Sequence, residues 1–204
     1  MQSPNRDRRN PACLALCLAA LILVSPVLAQ NATFSINENG TGYSAVIEVT
    51  DSDRFQFTKP GYLGEGVPIT VRDIRVTGDL GEISYEEQRN SEITFPTGDY
   101  MISYDGDLDG HSFSGLFTKP YNVTVYLPDV FNVDNPLLGY ISQGGSVSHK
   151  ENQTIITWEG TRYAEVRFYD EDRMVILIAF GTIWLTLMII LLFGYYSMRV
   201  SSRE

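Results

Sequence analysis

From Met174 to Gly194 the chain runs for 21 residues without a charged side chain. As a helix rising about 1.5 Å per residue, such a run is about 30 Å long, the hydrocarbon thickness of a bilayer. A stretch this apolar must be wrapped either by lipid or by a large soluble core. The rest of the chain is too small and too strand-like in pattern to supply that core. Residues 174–196 are therefore expected to form a transmembrane helix, with 197–204 as a short cytoplasmic tail.

The opposite end reads as a secretory signal over residues 1–29. Three arginines and one aspartate (Arg6, Asp7, Arg8, Arg9) precede an apolar stretch from Ala12 to Val24, and Val27-Leu28-Ala29 suits cleavage after Ala29. The residues around Arg8-Arg9 do not fit a twin-arginine signal. Cys17 follows Leu16 inside the apolar stretch, a poor context for a lipid-anchor cysteine. Charge sets the expected orientation. Asp170-Glu171-Asp172-Arg173 is acidic ahead of the C-terminal helix, whereas Arg199 and Arg203 outweigh Glu204 after it. Basic flanks favour the cytoplasm, so the middle of the chain faces outward. If the signal were kept, Arg6, Arg8 and Arg9 would hold the N-terminus inside and the middle would still lie outside.

That middle, residues 30–173, carries 23 acidic and 10 basic side chains, a net charge of −13. A surface so acidic repels nucleic acid and anionic headgroups, and it suits cations, basic partners or simple solubility. Both cysteines, Cys13 and Cys17, lie in the signal segment. The exported part therefore has no disulfide, no thiol nucleophile and no cysteine metal site, and its stability must come from an apolar core.

Alternation of period two dominates. Tyr43–Val49, Arg54–Thr58, Ile69–Val76, Glu92–Phe95, Asp99–Tyr104, His111–Thr118, Tyr121–Leu127, Gln153–Trp158 and Tyr163–Tyr169 all read as strands. Turn residues punctuate them, among them Lys59-Pro60-Gly61, Thr77-Gly78-Asp79 and Pro96-Thr97-Gly98. Glu82–Asn90 reads as one short helical turn, and the polar residues 30–42 as a linker. The expected fold is all-β: an antiparallel β-sandwich of immunoglobulin-like architecture over residues 43–173, with a barrel as the alternative, followed by one transmembrane helix.

Few residues point to chemistry. Asp105, Asp107 and Asp109 alternate around Gly106 and Gly110 like the first half of an EF-hand loop. Leu116 stands where the bidentate glutamate would be, and the flanks are strands, so a looser Ca²⁺ site competes with a plain Asp/Gly hairpin loop. Four sequons start at Asn31, Asn39, Asn122 and Asn152, each a candidate glycan acceptor on an exported domain. His111 and His149 show no zinc spacing. Gly110–Gly115 departs from a nucleophile elbow because Ser114 replaces its second glycine. Gly61–Gly66 lacks the lysine of a phosphate loop and reads as a turn. Trp158 reads as core. Thr182 and Thr186 share a helix face with Ala179 and serve either helix pairing or their own backbone.

Val125-Tyr126-Leu127-Pro128, Asn135-Pro136-Leu137-Leu138-Gly139, Gly144-Gly145, Thr157-Trp158 and Val166-Arg167-Phe168-Tyr169 follow one another into the membrane segment. In order and spacing they resemble an uncharacterised family of archaeal exported proteins with one C-terminal membrane helix, a domain of unknown function. The resemblance covers roughly residues 95–198. It implies a surface setting and supplies no catalytic residue. Members often carry a longer basic tail and a lipid-anchor cysteine, both absent here.

The expected function is a non-enzymatic binding or interaction module at the cell surface. It would be anchored in the bilayer and engage another membrane or surface-layer protein, or glycans, with no nucleic acid and no cofactor other than Ca²⁺. A membrane-tethered hydrolase working through paired carboxylates and a Ca²⁺-stabilised structural module are the alternatives.

Overall fold

A computed structural model describes residues 29–201. The expected signal segment lies outside the described residues except for Ala29, as do the last three residues of the tail. Twelve strands precede one helix: β1 (Gln30–Ile36), β2 (Gly42–Gln56), β3 (Thr58–Pro60), β4 (Gly66–Pro68), β5 (Val71–Gly78), β6 (Gly81–Ile83), β7 (Glu86–Gln88), β8 (Glu92–Asp107), β9 (Ser112–Pro128), β10 (Tyr140–Ile141), β11 (Ser146–Lys150), β12 (Gln153–Arg167) and α1 (Glu171–Ser201). Ten of the strands form one sheet along the path β10-β12-β9-β1-β2-β8-β5-β6, with β11 added to β12 and β7 to β8; β3 and β4 form a separate hairpin. Every pairing is antiparallel except that of β1 with β9, which is parallel. The all-β class with a single C-terminal helix is as the sequence implies.

The two layers are made by folding this one sheet double. Phe34 lies in register with Val125, yet its ring centre is 4.5 Å from that of Phe113. A straight strand would separate Phe113 from Val125 by about 40 Å, so β9 must turn back on itself. The β2/β8 pair does the same: Ala45 is level with Tyr104, and the Tyr104 ring is 4.7 Å from Phe57, twelve residues downstream of Ala45. Register shifts mark both corners, between Val49 and Arg54 on β2 and between Trp158 and Tyr163 on β12. Asp51 (φ 49°) and Gly160 (φ 57°) take left-handed conformations there, as bulged strands do when they change layer.

Residues 30–42 are not a linker. Ala32, Phe34 and Ile36 are buried while Asn31 and Ser35 face outward. The polar residues are the solvent half of an alternation, and β1 is the central strand joining the two bent hairpins. Residues 82–90 likewise form β6 and β7 instead of a helical turn, held near β5 by the Tyr85 hydroxyl donating to the Ile74 carbonyl at 3.2 Å. The core between the layers is aromatic-rich, with Phe34, Phe57, Phe113, Trp158 and Phe168 all at most 2% exposed.

β12 passes almost directly into α1. The Asp170 carboxylate accepts the Arg173 amide at 3.0 Å and caps the helix, and Glu171 and Asp172 sit in its first turn, where negative charge is favoured. The 129–139 loop braces this joint: Asn132 and Tyr169 form an isolated bridge, and the Asn135 amide donates to the Tyr169 hydroxyl at 3.1 Å while its side chain reaches the Met174 sulfur at 3.4 Å. Beyond Met174 nearly all the described apolar side chains of α1 are exposed, Phe193 by 75% and Leu191 by 66%. Residues Glu171–Tyr196 form one helix long and apolar enough to cross a membrane. Thr182 and Thr186 bond back to the carbonyls of Ile178 and Thr182 at 2.9 and 2.8 Å.

Candidate binding cleft

β1 is short. It runs out at Gln30, beside Tyr121 of β9 and near Glu48 of β2, whose carboxylate accepts the Asn31 side chain at 2.8 Å. Both neighbours continue past that level, turn the corner and run back over the core, with no third strand between them among the described residues. The space so created is a cleft of about 300 Å³. Its floor is the inner face of the β1/β2 layer, with Phe34, Tyr43, Ile47 and Tyr104. Arg54, Phe55 and Phe57 line one wall, and Ser114–Lys119 the other.

Burial governs the acid–base character of the floor. It pushes the Tyr43 hydroxyl up to about 12, against a hydrogen bond from Tyr104 that works the other way. It pushes Tyr104 up as well, reinforced by Tyr43. Tyr121, at the corner, rises to about 12 through burial and then the charge of Glu48, and its hydroxyl donates to the Glu48 carbonyl at 3.0 Å. These phenols stay protonated across the physiological range and serve as hydrogen-bond donors. Among the described residues Glu92 is the one carboxylate lining the cleft. It lies 4.0 Å from Arg54, which also holds Asp53 at 3.0 Å. Lys119, exposed at the corner, forms no ion pair among the described residues. The lining therefore offers an apolar floor, neutral phenols, of which Tyr104 and Tyr121 already donate within the fold, and one unmatched positive charge. It has no histidine beside a serine and no facing pair of carboxylates.

The residues singled out in sequence lie elsewhere. Asp105 and Asp107 end β8, and Asp109 lies in the turn to β9. Asp107 binds Arg72 at 2.6 Å and Asp109 binds Lys59 at 3.6 Å. Among the described residues no group of three potential ligands converges on a metal position; Ca²⁺ at this turn would have to draw Asp107 and Asp109 away from those cations. All four sequon asparagines are exposed. Asn31 and Asn122 are register partners on β1 and β9, and the Asn122 side-chain oxygen accepts the Gly160 amide at 3.1 Å. Asn39 accepts from Thr41 within a turn, and Asn152 sits in the β11–β12 turn. His149 binds Thr154 at 3.1 Å and faces Asp134 at 3.5 Å. His111 stacks on Phe168 at 5.4 Å, at the end of the domain that meets α1. Trp158 is core, 1% exposed, with its indole nitrogen donating to the Ser142 carbonyl at 3.3 Å.

Sequence reasoning missed the cleft because nothing local encodes it. It exists where a seven-residue strand lies between two of more than fourteen, a mismatch visible only once the pairing is known.

No curated protein matches the chain. A family model does match it, over residues 28–204, and its description is a family of unknown function, DUF5803. The chain belongs to that family.

Proposed function

We propose that this member of the DUF5803 family is an interaction module, held by α1 in the cell membrane with its β-domain on the outer face. The single observation that carries the reading is the cleft: an open gap between β2 and β9 in the doubled sheet, with an apolar floor, neutral phenols and the Lys119 charge. The exposed apolar α1 supports the anchoring, and Arg199 and Arg203, after the apolar run, support the outward orientation of the β-domain. The signal segment at residues 1–29 and an archaeal surface setting belong to the same reading. So does glycan attachment at Asn31, Asn39, Asn122 and Asn152, whose exposure leaves each open to modification.

Crosslinking of the intact chain in its own membrane, followed by mild detergent extraction, tests the function. A defined neighbour recovered through contacts around Arg54 and Lys119 is the expected result. Recovery of the chain alone, across crosslinkers of several lengths, would refute it.

A further inference from the structure

Among the described residues, no strand occupies the cleft between β2 and β9. Neighbouring strands in a sheet lie about 4.8 Å apart, so β2 and β9, with β1 between them, are two spacings apart where β1 ends. Past that point, among the described residues, Ser52–Gln56 of β2 pair only with β8, and Ser112–Leu116 of β9 pair only with β12. Each therefore turns an unpaired strand edge toward the other, and among the described residues no strand of this chain fills the space. The gap narrows toward β3, which packs against β9, so it is short. Ser52 to Phe57 spans about 17 Å, enough for about five residues of an extended chain.

We infer that this slot accepts an extended peptide segment from a partner protein, which adds a strand between β2 and β9. Backbone pairing on two edges is the source of affinity, because the aromatics beneath are already nearly buried: Phe34 of the floor is 2% and Phe113 of β9 1% exposed. The inner side of the incoming strand would lie over Tyr43 and Phe57, only 6% and 1% exposed, and its outer side would face solvent, so the segment alternates small apolar and polar residues. Lys119, unmatched in a domain of net charge −13, stands at the open corner and selects a segment with a carboxylate at that end. This identity of the ligand rests on the binding role proposed above.

The test uses the full chain in lipid nanodiscs, with Cys13 and Cys17 replaced by serine. The probe is the pentapeptide acetyl-Thr-Val-Thr-Val-Thr, with a free C-terminal carboxylate or as its amide. Strand addition slows amide exchange in residues 52–57 and 113–119 together. Lys119→Glu weakens the free-acid peptide roughly fivefold and leaves the amide unchanged. Thr118→Cys, alkylated with a bulky maleimide, abolishes protection in both segments. Protection on one edge only, or none at millimolar peptide, overturns the inference. A membrane neighbour still crosslinked by the alkylated protein would also overturn the slot while leaving the broader interaction role standing.

Discussion

His111 illustrates how one side chain ties stability to pH. Its ring packs against both Phe131 and Phe168, with centres 5.3 and 5.4 Å away, and its buried Nδ1 has no hydrogen-bond partner among the described residues. Burial and then the nearby Arg173 hold its pKa below the usual histidine value, against the pull of Asp170. A base with a lowered pKa in the folded state is more readily protonated when unfolded. Its contribution is complete above about pH 6.5 and is lost as pH falls toward the folded-state value. Denaturant melts of the wild type should thus weaken from pH 7 to pH 5, and His111→Phe should flatten that slope; equal slopes would exclude this role. Trp158 anchors the opposite hairpin. A Cβ on Gly145 would lie 2.8 Å from its indole nitrogen, which is why the Gly144-Gly145 pair and the tryptophan occur together. Trp158→Ala should cost about 3–5 kcal/mol in urea unfolding, the range for a fully buried aromatic.

At the scale of elements, the strand content was legible because alternation survives in nearly every segment, from Tyr43–Val49 to Tyr163–Tyr169. Connectivity was not. Pro96-Thr97-Gly98 reads as a hairpin turn, yet β8 continues through it, and Lys119-Pro120 likewise lies inside β9. Residues that favour turns also favour the corner where a long strand changes layer, and local sequence cannot distinguish the two. The polar outer face of β1 disguised a central strand for a related reason: five of its seven residues are Gln, Asn, Ala, Thr or Ser, and only Phe34 and Ile36 signal the core. The corner makes its own demand on Gly160, whose φ of 57° suits glycine. Gly160→Val should destabilise the fold by about 1–2 kcal/mol, although a Cβ there would meet nothing within 4 Å. An unchanged urea midpoint would show that the corner tolerates a β-branched residue.

For the whole molecule, the apolar helix was the plainest signal and the cleft the least visible one. The two bent hairpins bring the 37–41 turn, the β8–β9 turn and the 129–139 loop to one end of the domain: a Cβ on Gly40 would lie 2.7 Å from Phe131, the Phe168 amide donates to the His111 carbonyl at 3.0 Å, and Asn135 reaches Met174. That is the end from which α1 leaves the domain. The two corners, with Lys119 and the mouth of the cleft, lie at the far end. Leu80, fully exposed in the β5–β6 turn, is at that far end as well, since the close of β5 is level with Met101, well along β8 from Asp107.

The most direct measurement is labelling of a single cysteine at position 80 (Leu80→Cys, with Cys13 and Cys17 replaced by serine) on intact cells with a membrane-impermeant maleimide. If the β-domain stands outside on an α1 anchor, position 80 labels fully without lysis, whereas a cysteine at Ser202 labels only after the membrane is opened. Labelling at position 80 only after lysis, with Ser202→Cys reactive on intact cells, would contradict the account.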